Sequence, residues 1–320
     1  MIKLKDIAEK TGVSISVVSR TLNPKPDKNA FVSDRLRKKI TKAAKELGYQ
    51  RNRMAEFLQR GKNVALGVFI PEAPNRLVAD LMFGISRKAA ELKFPLEFHF
   101  GMTYVEYRKF IDTVSVSNSG IITYPSGFSL DKDINRTIRD YVDNGGHVVV
   151  LNTYEALDVP VILIDDFHGG RIAAEHLLGR NCRTYLASSR YGKRTEGFVE
   201  TIKKNGARCI LFDDDTFESV LKKVLDKKNM PVGVFATYDV LAMKIMAFLQ
   251  NNSVNIGKDV LLMGYDDLFT VGYLNPPLTT IHQPFKELGE LSVVKIVNMI
   301  DGKNEISEKI LPSLVKRATA

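Results

Sequence analysis

From residue 64 to residue 266, short apolar runs alternate with amphipathic stretches, and this rhythm leaves few folds open. VALGVFIP (64–71), LEFHF (96–100), GIITY (120–124) and HVVVLN (147–152) read as strands, largely apolar as strands buried on both faces must be. Between them, the stretches 78–92, 105–113 and 133–144 read as helices, with Leu81, Met82, Ile85 and Ala89, and then Ile134, Ile138 and Tyr141, at helical spacing. The pattern restarts with VILID (161–165) and runs on through TYLAS (184–188), CILF (209–212), VGVFA (232–236) and VLLMGYD (260–266). Helices are predicted over 169–178, 195–205, 217–226 and 239–251. This alternation predicts an α/β fold of parallel sheets covered on both faces. Two successive halves predict two doubly wound lobes and a cleft between them, with ligands beyond the carboxyl ends of the strands.

The N-terminus has a different period. In LKDIAEKTGVSISVVSRTLN (4–23), Leu4, Ile7 and Ala8 fall at helical spacing and stop at Gly12; a second helix begins behind Ser14 with Val17, Val18 and Leu22 as its buried stripe. Helix, tight glycine turn, helix is the helix-turn-helix pattern, and a plain helical hairpin is the alternative on spacing alone. The outer face of the second helix carries Ile15, Ser16, Ser19 and Arg20, short side chains plus one guanidinium able to pair bidentately with guanine. After the proline-containing loop 24–31, Ser33 caps a third helix with Leu36, Ile40, Ala44 and Leu47 on its apolar side. Residues 1–62 hold 16 Lys+Arg against 6 Asp+Glu, while the remaining residues are balanced at 30 against 31. A basic head on a neutral body is the charge pattern of a polyanion-binding module joined to something else.

Residues 49–63, YQRNRMAEFLQRGKN, form the linker. Asn52 opens one short helix presenting Met54, Ala55 and Leu58 among Arg51, Arg53, Arg60 and Lys62. Such a helix is marginal in water and is expected to order on binding. Apolar side chains ringed by Arg and Lys suit insertion into a minor-groove step; a flexible basic linker is the alternative. Two cysteines, Cys182 and Cys209, are too few for a disulfide scaffold or a zinc site and point to a reducing cytoplasm. The N-terminus reads as no signal segment, and no apolar run reaches the roughly 18 residues of a membrane span.

Several polar residues follow apolar strands in the body: Asn152, Asp165, Asp239 and Asp266, with Arg194 in the loop YGKRTEGF. Carboxylates, an amide and a guanidinium converging with Tyr124, Tyr154, Tyr191 or Tyr238 meet the needs of vicinal sugar hydroxyls and the apolar face of a sugar ring. Taken singly, each Asp also reads as a helix N-cap, Asp239 above all. HGGR (168–171) reads either as an anion nest or as close helix packing. Catalysis finds no support: HExxH, Walker, GxSxG and GxGxxG patterns are missing at strand-to-helix turns, and the five histidines are scattered.

LKDIAEKTGVSISVVSRTLN, VSDRLRKKITKAAKELGY (32–49) and NRMAEFL (52–58), with GYDDLFTVGYLNPPLTTIHQPFKELG (264–289) and LPSLVKR (311–317), closely resemble the lactose-repressor (LacI/GalR) family of bacterial transcription regulators. The resemblance implies a helix-turn-helix headpiece over 1–50, a hinge helix over 51–62, and a two-lobed effector-binding and dimerisation domain of periplasmic-binding-protein type over 63–320. It implies base readers at Ile15, Ser16 and Arg20, backbone contacts at Ser19, Asn23, Ser33 and Asn52, a minor-groove wedge at Leu58, and further DNA contacts at Leu4, Ser14, Tyr49 and Ala55. For the effector it implies Leu77, Asn152, Arg194, Tyr238, Asp239, Asp266 and Gln283. The implied partners are a pseudo-palindromic double-stranded operator, a sugar or sugar phosphate, and a second copy of the chain in a cytoplasmic homodimer, with no cofactor, metal or membrane. Control by a protein co-repressor, and a cytoplasmic sugar-binding protein without operator specificity, are the alternatives. The chain departs from the family in its longer 24–31 loop, in Arg51 and Glu56, in Tyr238 where Asn is usual, and in a trimmed 179–189 segment.

Overall fold

The computed structural model describes residues 3–22, 32–47, 65–72, 76–117, 120–125, 132–155, 157–225 and 230–320. The chain divides into two compact units, Met1–Lys62 and Asn63–Ala320. In the first, α1 (Leu4–Thr11), α2 (Ile15–Leu22) and α3 (Asp34–Glu46) enclose one small core. Helix α1 stops where Gly12 turns left-handed at φ 70° and donates its N–H to the Ala8 carbonyl, a conformation that costs glycine nothing for want of a Cβ. Ile7, Val18 and Ile40, one from each helix, are wholly buried with Ala8, Ala43 and Ala44 around them. The Lys39 ammonium donates to the Thr11 carbonyl at 3.0 Å, tying α3 to the turn. The Ser33 hydroxyl accepts from Leu36 N–H at 3.4 Å, the cap read from the sequence. The 24–31 loop and the 51–62 hinge lie outside the described residues.

The second unit holds two sheets. Strands β1 (Leu66–Ile70), β2 (Leu96–Phe100), β3 (Gly120–Thr123), β4 (Val148–Leu151), β5 (Val161–Ile164) and β11 (Glu308–Ile310) make the first, in the order β11-β5-β4-β3-β1-β2. Helices α4 (Arg76–Leu92), α5 (Tyr104–Ser117) and α6 (Lys132–Asp143) alternate with its early strands. The second lobe orders β6 (Thr184–Ser188), β7 (Cys209–Phe212), β8 (Val232–Phe235) and β9 (Val260–Met263) as β7-β6-β8-β9. Its helices are α7 (Asp166–Leu178), α8 (Gly192–Lys204), α9 (Phe217–Val224) and α10 (Asp239–Asn251). All ladders within both sheets are parallel. Strands β1, β3, β4, β5, β8 and β9 are buried at every position, which is why they read as unbroken apolar runs.

The boundary between the halves needs one correction. VILID opens the second half of the sequence rhythm, yet β5 pairs beside β4 in the first sheet, Val150 facing Val161 and Leu151 facing Ile162. Apolarity marks a buried strand without saying which sheet buries it. The chain passes between lobes three times: from β5 into α7, from β10 (Thr280–His282) into α11 (Phe285–Ile300), and from β11 into β12 (Ser313–Val315). Strands β10 and β12 pair antiparallel, and β10 runs on beside β9 through the Asp266–His282 bridge.

Each lobe contains one close crossing of helices set by a reciprocal glycine pair. A Cβ on Gly84 of α4 would collide with the Lys286 carbonyl of α11, and one on Gly289 with the Leu81 carbonyl. In the other lobe, Gly170 of α7 abuts the Arg194 carbonyl and Gly197 of α8 the Phe167 carbonyl. Gly169 lies against the Tyr265 hydroxyl. Of the two readings of HGGR, close packing is the one these contacts support.

Candidate functional site

The headpiece presents α2. Ile15, Ser16 and Arg20 are exposed on it, Ser19 is half-buried, and Val18 beneath them is sealed in the core. Arg20 Nε donates to the Ser16 carbonyl at 3.1 Å, so the guanidinium is held along the helix while its terminal nitrogens have no bond to a described residue. Ser14 and Ser16 share a hydroxyl–hydroxyl bond of 2.9 Å at the N-terminal end of the same helix. A helix with a rigid underside and short polar residues at its N-terminal end has the form that enters a major groove. Leu4 is half-buried against the headpiece core, and the Ser33 hydroxyl is engaged in its cap. The predicted contacts Asn23, Tyr49, Asn52, Ala55 and Leu58 lie outside the described residues.

In the body, Arg194 is the centre. It sits at the start of α8, 7% exposed, where the Gly170–Gly197 crossing fixes the backbone. Its Nε donates to Asp166 at 3.0 Å, and its Nη1 to the Thr237 carbonyl at 2.8 Å and to Asp266 at 3.3 Å. The guanidinium lies 3.9 Å from the Tyr265 ring centroid and 4.6 Å from that of Tyr191, so aromatic faces cover it as well. Burial works against its charge, but Asp166, Tyr265 and Asp266 outweigh burial and raise its pKa. Asp266 responds the other way: burial outweighs Arg194 and Gln283 and pushes its carboxyl up to about 6. One cation shared by two carboxylates cannot fully offset the burial of both.

The structure brings Gln283 into the same cluster, its Nε2 donating to Asp266 at 2.6 Å. Asn152 follows β4 at φ 55°, accepting from Ile164 N–H at 3.1 Å and reaching the Tyr124 hydroxyl at 3.4 Å. Asp266 and Asp267 also have positive φ, at 118° and 55°. Left-handed backbone at non-glycine residues costs about 1–3 kcal/mol each and concentrates where function holds the chain in place. Tyr238 joins from the side: its hydroxyl donates to Asp214 at 2.6 Å, and its ring packs edge-on to Tyr191 at 5.7 Å. Leu77 is a half-buried apolar side chain in the first turn of α4, in the other lobe.

Asp239 sits differently from its sequence reading as a helix cap. It is the first residue of α10, with Tyr238 at the cap position, and it is wholly buried. Its two oxygens accept from Leu268 N–H at 2.8 Å and from the Thr280 hydroxyl at 2.6 Å. It therefore braces the GYDD loop and β10 beneath the site, and burial lifts its carboxyl to about 7. Asp165, by contrast, is a helix cap, accepting from His168 N–H at 3.1 Å. Sequence reasoning passed over Asp166 and Asp214, which the fold sets against Arg194 and Arg190 at 3.0 and 2.6 Å. Each stands in a run of acids, DD and DDD, where spacing gives no sign of which carboxylate turns inward. Among the described residues no group of three or more His, Cys, Asp or Glu is placed to hold a metal ion, and no helix is long and apolar enough to cross a membrane.

Comparison with known proteins finds matches to both units of the chain. Residues 174–320 match the periplasmic binding protein-like domain. Over 341 residues the chain is 24% identical to the HTH-type transcriptional repressor PurR of Vibrio atlanticus (strain LGP32), covering 100% of this chain and 98% of that one. It is 26% identical over 323 residues to the ribose operon repressor of Halalkalibacterium halodurans, covering 95% and 92%. Among solved structures, the Lac repressor bound to ONPG aligns with a TM-score of 0.69 at 22% identity, covering 100% and 99%. The CelR–cellobiose complex aligns with a TM-score of 0.68 at 20% identity, covering all of both chains. Residues 3–52 match the model of bacterial regulatory proteins, lacI family, so the chain joins a lacI-family helix-turn-helix domain to a periplasmic-binding-protein-like domain, as its full-length repressor relatives do in outline.

Proposed function

We propose that this chain is a homodimeric, operator-binding transcriptional repressor whose grip on DNA is set by a small polyhydroxylated effector held at Arg194. The observation that carries the first half is the exposed face Ile15, Ser16 and Arg20 on a three-helix core, in a segment carrying all of the chain's excess positive charge. For the effector, the carrying observation is the placement of the cluster on two of the three passages between lobes. Asp166 begins α7 directly after β5, and Gln283 lies between β10 and α11; both are linked to Arg194, Gln283 by way of Asp266. A ligand that bonds this cluster better in one lobe arrangement than in another shifts their balance by that difference in affinity and by nothing else. The 51–62 segment then orders or releases, and Leu58 enters or leaves the minor groove. A cytoplasmic protein accords with this reading, Cys182 and Cys209 both being free thiols.

Selection of duplexes from a random pool by the full chain, followed by anisotropy titration, tests the DNA half. A palindromic consensus is expected, bound more weakly as salt rises. Arg20→Ala is expected to weaken the selected site by about 1–3 kcal/mol, or roughly 5- to 150-fold, while leaving random duplex nearly unchanged. Equal affinity for selected and random duplex discards the proposal.

A further inference from the structure

The surroundings of Arg194 also restrict what the effector can be, given the reading above that this cleft takes one. Of their unmet atoms, those of Gln283 and Asp214 can only accept, and the hydroxyl of Thr237 can accept or donate. Gln283 is 3% exposed, and with its Nε2 given to Asp266 its Oε1 has no partner. The Asp266 carboxylate fixes that orientation, because the flipped amide would set oxygen against oxygen. Thr237, wholly buried, leaves its hydroxyl oxygen unpartnered, and so does Asp214 with its Oδ1. Buried polar atoms without partners are costly, so a ligand gains most here by donating hydrogen bonds. Phosphates and carboxylates donate few or none.

Charge gives the same answer. Beside the guanidinium groups of Arg190 and Arg194 stand the carboxylates of Asp166, Asp266 and Asp214, with Asp213 bonded by the Ser189 hydroxyl. Arg190 is the cation best placed to receive an anion, since its side chain is 55% exposed at the rim. Asp214 already occupies it: Nη1 meets Oδ2 at 2.6 Å, and the same oxygen takes the Tyr238 hydroxyl. The Arg190 guanidinium also lies 5.1 Å from the Tyr238 ring centroid, which holds it in place from a second side.

We propose that the effector is an uncharged, hydroxyl-rich molecule, and that Asp214 determines specificity against phosphorylated counterparts by keeping Arg190 in an ion pair. Calorimetric titration of the full chain with matched probes tests this: D-ribose against ribose 5-phosphate, glucose against glucose 6-phosphate, and sucrose against sucrose 6-phosphate. At least one parent sugar is expected to bind, tenfold or more tighter than its ester. Asp214→Asn frees Arg190 and is expected to raise affinity for that ester at least tenfold, and Asp214→Ala, without an amide, to do the same. Adding Arg190→Ala is expected to abolish the gain. Three results overturn the proposal: an ester preferred by the parent protein, folded Asp214 variants with no gain, or no sugar binding by a protein that still selects a palindrome. The last removes the effector class and leaves the DNA-binding reading standing; loss of duplex selection strikes that reading instead.

Discussion

Arg194 is legible in the sequence as a guanidinium before a helix, and the fold makes it the keystone of a buried charge cluster. Truncation therefore affects stability before it affects recognition. Arg194→Ala leaves Asp166 and Asp266 buried without their cation and is expected to cost about 3–5 kcal/mol in a denaturant titration; a loss below about 1 kcal/mol would show that the cluster is not coupled. Asp239 supports a prediction in pH. Burial raises its carboxyl from the usual range to about 7, so the folded protein binds this proton more tightly than the unfolded chain does. Stability from this group is full at low pH and is lost as pH rises from about 4 toward 7. Asparagine retains both contacts, its oxygen facing Leu268 N–H and its amide donating to the Thr280 hydroxyl. Asp239→Asn is expected to flatten the decline of melting temperature between pH 5 and 8 relative to the parent, and parallel curves would contradict it.

Among elements, the helix pairs show how far local pattern reaches. The alternation of strands and helices announced α7 and α8 over 169–178 and 195–205, but only their crossing reveals why Gly170 and Gly197 face carbonyls of the opposing helix. Gly197→Ala forces a methyl group into the Phe167 carbonyl and is expected to cost about 1–3 kcal/mol, read as a lower denaturation midpoint; an unchanged midpoint would mean the helices slide apart freely. Helix α11, β10, β11 and β12 were not resolved from the sequence. Gly289 and Ser292 fall among the buried positions of α11, and Lys295 is also buried there, its ammonium meeting Glu305 and Glu308 at 3.0 and 2.9 Å. Small and charged residues on the inner face blur an amphipathic period. The three strands are three residues each, too short for an alternation to register.

At the scale of the molecule, the proposed homodimer requires a surface for association, and the body offers one. Phe269 and Tyr273 stand 64% and 75% exposed on the 3-10 turn after GYDD, their rings 4.9 Å apart. Exposed aromatic pairs of this kind mark association surfaces. Phe269→Glu with Tyr273→Glu is expected to convert the dimer to monomer in sedimentation velocity. Operator affinity is expected to fall with it, because two tethered headpieces reinforce each other and a single one does not. A double variant that sediments as the parent does would place the interface elsewhere.

The sequence by itself determined the elements of the body up to β9 and the three-helix headpiece, because periodicity, caps and unbroken apolar runs are local consequences of which side chains can be buried. Leu4–Thr11 and Ile15–Leu22 appear where Gly12 and Ser14 predict them. Tertiary structure alone decided that β5 belongs to the first sheet, that Asp239 braces the site from below, and that Asp166 and Asp214 take the two arginines. Those outcomes depend on contacts between residues 11 or more positions apart in the chain, and no local pattern encodes which carboxylate, among several in a row, will be turned toward a cation brought in from another helix.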